Sequence, residues 1–86
     1  MNKSLLKKFI KFLHSLKTED EIEAFLSSIL TSSELDELPK RLEIVKQLKA
    51  GISQHQIAKN LGVGVATVTR GSKEIKSGGF ENVKSA

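Results

Sequence analysis

The sequence predicts an all-α fold of five or six short helices. Apolar residues recur at steps of three and four through most of the 86 residues, which is the spacing of one helix face. No stretch alternates apolar and polar residues as a half-buried strand would. Glycine, serine and threonine separate the helical patterns at short intervals, where helices begin and end. A chain of this length and pattern is expected to form a single domain.

The first two predicted helices carry an unusually large apolar surface. The first covers about residues 3–16, with a stripe made of Leu5, Leu6, Phe9, Ile10, Phe12, Leu13 and Leu16. The second begins after Thr18, because Thr18-Glu-Asp-Glu21 has the pattern of a capping box. Its apolar residues are Ile22, Phe25, Leu26, Ile29 and Leu30. A chain this small cannot bury both stripes alone, so we expect a homodimer.

A third helix is predicted from about Glu34 to Ala50. Pro39 lies inside this pattern and lacks the N–H that would bond the carbonyl of Leu35. We therefore expect a kink there, or a short first turn followed by a restart. Gly51 is placed to end the helix in a left-handed conformation.

The fourth and fifth predicted helices meet at a sharp corner, Leu61-Gly62-Val63. Ser53 caps the fourth helix, which covers residues 54–60, and the fifth runs from Gly64 or Val65 to Lys76. Small Ala58 lets the second helix approach, and Gly62 accepts a positive φ at little cost. Four further positions would pack the corner onto the domain: Ile57, Leu61, Val63 and Val68. This spacing is typical of a helix-turn-helix that reads DNA, although a plain αα-corner is the alternative.

A helix-turn-helix places the N-terminal part of its second helix against the major groove. Small side chains there let the backbone approach base edges, and flanking polar or basic residues contact phosphates. The predicted DNA-contacting residues are Gln54, His55, Lys59, Gly64, Val65, Ala66, Thr69, Lys73 and Lys76.

The charge distribution is consistent with a partner that carries charge of one sign and contacts one face of the protein. Residues 1–17 hold five lysines and no acid, residues 18–38 seven acids and no base, and residues 39–59 five bases and one acid. A net charge of +4 with this segregation suits a polyanion, although solvated helix faces are the plainer interpretation. No apolar run approaches the roughly 20 residues that span a bilayer, so we expect a cytoplasmic protein with no membrane partner.

The segment from Leu30 to Lys76 resembles the tryptophan operon repressor family. The densest match is LGVGVATVTRGS, and KRLEIVKQLKAG before it is similar to that family's core helix. The resemblance implies an intertwined all-α homodimer that binds operator DNA when L-tryptophan fills two pockets beside the reading heads. It divides the chain into a dimerisation core (1–50), a helix-turn-helix reading head (51–77) and a tail expected to be flexible (78–86).

The resemblance also implies the residues of the tryptophan pocket. Arg41 matches the arginine along one face of the indole ring, and Arg70 matches the arginine that pairs with the carboxylate and covers the other face. Glu74 stands where the family has a serine near the ligand amine. The other matching positions are Thr67 and Gly71 on the reading-head side, and Leu26, Leu30 and Thr31 on the partner subunit's wall.

Other classes of function find less support in the residues. The chain has no cysteine, which excludes disulfides and thiolate metal sites. It also has no nucleophile–base pair, phosphate loop or metal-ligand cluster, so we expect neither an enzyme nor a cofactor beyond the amino-acid ligand. Two alternatives stay open: a DNA-binding regulator of the same family without tryptophan control, and a helical protein–protein interaction module.

Overall fold

The computed structural model describes residues 2–85 and forms five α-helices over that range, with no strand in it. The helices are α1 (Lys3–Ser15), α2 (Glu19–Ile29), α3 (Ser32–Lys49), α4 (Gln54–Leu61) and α5 (Val65–Lys76). The predicted all-α fold is therefore confirmed. Among the described residues, no helix is long and apolar enough to cross a membrane. The intertwined dimer involves a second chain and stays a prediction.

The chain forms two compact units, the first ending at Leu35 and the second beginning at Asp36. In the first unit, the ring of Phe25 packs against those of Phe9 and Phe12, with centroids 6.0 and 4.7 Å apart. No residue of α1 or α2 is buried. The predicted division at residues 50 and 77 is a functional one, and the boundary between the units does not test it.

Local capping interactions explain where the first three helices begin. Asn2 accepts a hydrogen bond from the N–H of Leu5, and Thr18 accepts one from the N–H of Glu21, as predicted. Glu21 reaches back to the N–H of Lys17, one residue before the expected partner. The complete capping box lies at α3, where Thr31 and Glu34 each accept a hydrogen bond from the other's backbone N–H, at 3.2 and 2.8 Å.

The third helix does not restart at Pro39. We expected a kink there or a short first turn followed by a restart, and α3 runs through the proline as one helix, with Pro39 inside it. The capping box at Thr31 starts the helix ahead of the proline, at Ser32 and not near Glu34. Both Leu35 and Pro39 are exposed, so the carbonyl that loses its N–H partner can bond water instead.

The second unit holds the apolar core that orients α4 and α5 on α3. The chain leaves α3 through a left-handed Gly51 with φ +83°, and the N–H groups of Gly51 and Ile52 donate to the carbonyls of Leu48 and Gln47. This is the Schellman arrangement that ends many helices. The core residues are Ile44, Ile57, Ala58 and Val68, with Leu48, Ile52, Leu61 and Val63 packed around them.

Candidate functional site

A cavity of about 210 Å³ lies between α3 and α5 in the second unit. We call it the α3–α5 cavity. It is lined by Arg41, Ile44, Val45, Thr67, Arg70, Gly71, Glu74 and Phe80. Five of the eight residues predicted to bind a ligand are in this set, so the fold brings most of the predicted pocket together within one chain.

The α3–α5 cavity has an apolar floor and charged groups around it. Ile44 and Val45 are almost fully buried, with 2% and 1% of their surfaces exposed, whereas Arg41, Arg70 and Glu74 are exposed. Such a site suits a molecule with an apolar body and charged groups of both signs.

Both arginines also border a second, smaller cavity. This cavity has a volume of about 150 Å³ and is lined by Glu37, Lys40, Arg41, Ile44, Val63, Thr67 and Arg70. The guanidinium of Arg41 lies 3.6 Å from the carboxylate of Glu37, one turn earlier on α3. Arg41 and Arg70 therefore border both cavities.

Gly71 sets how closely α5 packs on α3. A Cβ atom at this position would lie 3.2 Å from Cγ2 of Ile44 and 3.6 Å from Cδ1 of Leu48. Helix-turn-helix segments more often have an aliphatic residue here. The close approach of the two helices explains the glycine, in addition to the place in the ligand pocket that the resemblance implies.

The corner between α4 and α5 has the predicted geometry. Gly62 has φ +65°, and the N–H of Val63 donates to the carbonyl of Ala58 at 3.1 Å. Ile57 and Val68, one from each helix, are completely buried. Two hydrogen bonds between side-chain amides link α4 to α3. Gln56 donates to Asn60, and Asn60 donates to Gln47 on α3.

The sequence profile of the family described as Trp repressor protein matches residues 4–83, nearly the whole chain. The chain belongs to the Trp repressor family. Members of this family are transcriptional regulators that bind DNA, so the predictions of a DNA-binding repressor and of a protein without enzymatic activity are confirmed.

Individual relatives support the same family. The chain is 39% identical over 69 residues to a Trp operon repressor homolog of Vibrio campbellii, an alignment that covers 79% of this chain and 69% of the relative. It is 45% identical over 60 residues to a Trp operon repressor homolog of Vibrio cholerae, covering 69% of this chain and 58% of the relative. No solved structure matches the sequence.

As a Trp repressor family member, the chain should present a DNA-reading face on α5. One surface depression is bordered by Val65, Ala66, Thr69, Arg70 and Lys73. All of these except Arg70 belong to the predicted DNA-contacting set. Gly64 is the N-cap, and a Cβ atom there would meet nothing within 4 Å. Three other residues of the predicted set are exposed: His55, Lys59 and Lys76.

Thr69 has a more specific environment than the sequence indicated. Its hydroxyl lies 2.6 Å from Oε1 of Gln54 and 3.0 Å from the carbonyl of Val65, and it can donate to either oxygen. Both Thr69 and Gln54 were predicted to contact DNA. In this structure they bond to each other across the two helices, so the hydroxyl also holds Gln54 in place.

The three residues predicted for the partner's wall lie in the first unit. Leu26 is in α2, Leu30 is its C-cap, and Thr31 begins α3 through the capping box. Their proposed role depends on a second subunit, and it stays a prediction.

Sequence reasoning missed part of the second unit's closing segment. It gave neither Phe80 nor Lys49 a role in the site. In the structure Phe80 lines the α3–α5 cavity, and the ammonium of Lys49 donates to the carbonyls of Phe80 and Val83. The available signal was Gly78-Gly79 directly before an isolated aromatic residue.

Proposed function

We propose that this chain represses transcription as a homodimer that binds operator DNA in the cytoplasm when L-tryptophan occupies the α3–α5 cavity. The observation that carries the proposal is the cavity itself, because Arg41, Thr67, Arg70 and Gly71 line it together and stand at the positions that match the family's pocket.

The chemistry of the cavity suits a zwitterionic aromatic amino acid. The planar guanidinium of Arg70 can grip a carboxylate, and that of Arg41 can lie along an aromatic ring. Glu74 offers a carboxylate to the ligand ammonium. A charge-assisted hydrogen bond and a cation–π contact each contribute about 1–3 kcal/mol. Micromolar affinity needs about 8 kcal/mol, so burial of the ring on Ile44 and Val45 must supply much of the rest.

A ligand in this cavity would act directly on the reading helix. Thr67, Arg70, Gly71 and Glu74 belong to α5, which also carries Ala66 and Lys73 toward DNA in the proposal. Contacts between ligand and both α3 and α5 would favour one placement of α5. In a dimer, that placement sets the spacing between the two reading helices, which must match successive major grooves.

The homodimer follows from the apolar surface of the first unit. Leu5, Ile10 and Ile29 are 61%, 53% and 51% exposed in the single chain. Exposed apolar patches of this kind mark interfaces. A second copy would cover them and could also supply Leu26, Leu30 and Thr31 to the ligand.

Intrinsic fluorescence tests ligand binding with little interference, because the chain has no Trp and no Tyr. We expect the emission of L-tryptophan to shift as it binds, with one site per subunit. Arg70→Ala should abolish most of the binding, and Arg70→Lys should lose much of it, since an ammonium lacks the fork and the flat face. Lys73→Ala is the matched control, because it removes a cation from the same helix without lining the α3–α5 cavity.

Two results would separate the alternatives. If millimolar L-tryptophan gives neither an emission change nor heat while DNA still binds, the chain is a family member without tryptophan control. If DNA binding is absent, or does not weaken steeply as salt rises, a protein-interaction module becomes the better interpretation, since phosphate contacts are strongly salt-dependent.

A further inference from the structure

The segment that follows α5 turns back sharply along the helix. Gly78 has φ +96°, and its N–H donates to the carbonyl of Ile75 at 3.0 Å. The N–H of Gly79 donates to the carbonyl of Glu74 at 2.9 Å. A Cβ atom on Gly79 would lie 2.8 Å from Cγ of Glu74 and 3.1 Å from its carbonyl oxygen. The two glycines therefore let the chain pass directly over Glu74.

This turn delivers Phe80 to the α3–α5 cavity in an unusual conformation. Phe80 has φ +60°, and no other non-glycine residue in the described part of the chain has a positive φ. Bulky residues rarely occupy this region, and when they do the surrounding structure holds them there, often at ligand sites. The side chain lines the cavity yet is 39% exposed.

Lys49 holds the backbone of this segment. Its ammonium donates to the carbonyl of Phe80 and to that of Val83, the latter at 2.7 Å. The N–H of Val83 also donates to the carbonyl of Phe80 at 3.1 Å. Lys49 is the last residue of α3, so its side chain ties the closing segment to the helix that forms the cavity floor.

We infer that Phe80 is a specificity-determining wall that selects an aromatic side chain for the α3–α5 cavity, and that Lys49 is its positioning residue. The inference rests on the proposed function, in which an amino acid occupies this cavity. It adds an aromatic contact from within the chain to the contacts that the two arginines provide.

The dimensions and chemistry of the cavity support this assignment. A cavity of about 150 Å³ holds benzene, and the volume of about 210 Å³ here leaves room for a larger ring. Ile44 and Val45 provide an apolar floor, and Phe80 adds an aromatic face whose exposed part a ligand ring would cover. Aromatic rings in such contact prefer offset or edge-to-face arrangements and gain more than burial alone provides.

The test compares two probes, L-tryptophan and indole, by the shift in their fluorescence emission. Indole has the ring but neither the carboxylate nor the ammonium, so its binding depends on the walls and not on salt bridges. We expect Phe80→Ala to lower the affinity for both probes by about tenfold. Phe80→Leu, which keeps an apolar side chain, should lower it by a smaller factor. Asn82→Ala is the matched control in the same segment and should bind like the unaltered chain.

The test of Lys49 includes a conservative variant and a stability control, because a general loss of stability would also weaken the binding of both probes. Lys49→Ala should lower the affinities for L-tryptophan and for indole by the same factor, because it displaces the Phe80 wall and touches neither charge of L-tryptophan. Lys49→Arg should restore most of the binding, since a guanidinium can donate to two carbonyls at once. Thermal unfolding of each variant, followed by circular dichroism, shows which of them remain folded at the titration temperature.

Each outcome decides between the two proposals. Equal affinities for Phe80→Ala, Phe80→Leu and Asn82→Ala would overturn the inference and leave the proposed function intact. Binding of indole that depends on Phe80, without binding of L-tryptophan, would uphold the aromatic wall and overturn the proposed ligand. Failure of the unaltered chain to bind either probe would overturn both.

Discussion

At the scale of single residues, small side chains determine how the second unit is assembled. Ala58 and Gly62 make the corner between α4 and α5, and Gly71 lets α5 approach α3. The corner residues could be predicted because their roles depend on spacing within about ten residues of sequence. The role of Gly71 depends on Ile44, which is distant in sequence, so only the structure explains it.

Gly71→Ala should lower stability although alanine favours helices by about 1 kcal/mol over glycine. The new Cβ would lie 3.2 Å from Cγ2 of Ile44, and Ile44 is buried and cannot move freely. Overpacking of this kind costs about 1–3 kcal/mol, so we expect a net loss of up to about 2 kcal/mol in urea unfolding. Gly64→Ala, with open space around its Cβ, is the control, and equal or greater stability of Gly71→Ala would refute the close-packing account.

Thr69→Ala should weaken specific DNA binding without unfolding the chain. The substitution removes the methyl group of Thr69 and the hydroxyl that donates to Gln54. Both the surface offered to DNA and the orientation of Gln54 should therefore change. The stability cost should be near 1 kcal/mol, the net value of one hydrogen bond. Thr69→Ser keeps the hydroxyl and should retain more affinity in fluorescence anisotropy with labelled operator. If both variants bind like the unaltered chain, Thr69 does not contribute to the reading face.

At the scale of helices, most boundaries follow from short capping patterns. Thr18, Ser53 and Gly51 act where the sequence places them, because caps and stops depend on neighbouring residues alone. The helix does not restart at Pro39, because the capping box of Thr31 and Glu34 already starts α3 ahead of the proline. The contacts of Phe80 with the cavity were missed for a different reason: Lys49 lies 31 residues earlier in the chain, and nothing local signals such a pairing.

The capping box of α3 predicts a pH dependence of stability. The backbone N–H of Thr31 and then its hydroxyl lower the pKa of Glu34 below its ordinary value of 4.5. A carboxyl with a lowered pKa in the folded state stabilises the fold above its ordinary pKa, and this contribution is lost as the pH falls from 4.5 through the lower folded value. Glu34→Gln keeps the acceptor without titrating.

We therefore expect the unfolding temperature of the unaltered chain to fall relative to that of Glu34→Gln only below about pH 4.5. Melting curves followed by circular dichroism between pH 3 and 7 would measure the difference. Curves that stay parallel across this range would show that the Glu34 carboxylate does not stabilise α3.

At the scale of the whole molecule, the exposed apolar surface of the first unit predicts an obligate dimer. The unfolding temperature should then rise with protein concentration, because association stabilises only the folded state. Ile10→Glu should dissociate or unfold the protein, whereas Lys11→Glu, which changes a neighbouring polar position on α1, should not. Sedimentation that gives a 9.5 kDa species at micromolar concentration, with a concentration-independent unfolding temperature, would contradict the dimer.

Ligand binding and DNA binding should be coupled, because both proposed sites lie in the second unit and include residues of α5. The α3–α5 cavity and the predicted DNA-contacting set both include residues of α5. A ligand that fixes α5 on α3 would therefore also fix the surface that contacts DNA. Coupling between two sites is reciprocal for binding free energies. Operator DNA should therefore raise the affinity for L-tryptophan by the same factor by which L-tryptophan raises the affinity for DNA.

The most direct test is the affinity of the protein for an operator selected from random sequences, measured by fluorescence anisotropy with and without saturating L-tryptophan. We predict that L-tryptophan raises this affinity at least tenfold, a coupling of about 1.4 kcal/mol or more, and that Arg70→Ala abolishes the increase. Lys73→Ala should weaken DNA binding in both conditions and keep the increase. Equal affinity with and without L-tryptophan, in a protein that binds DNA specifically, would contradict the account.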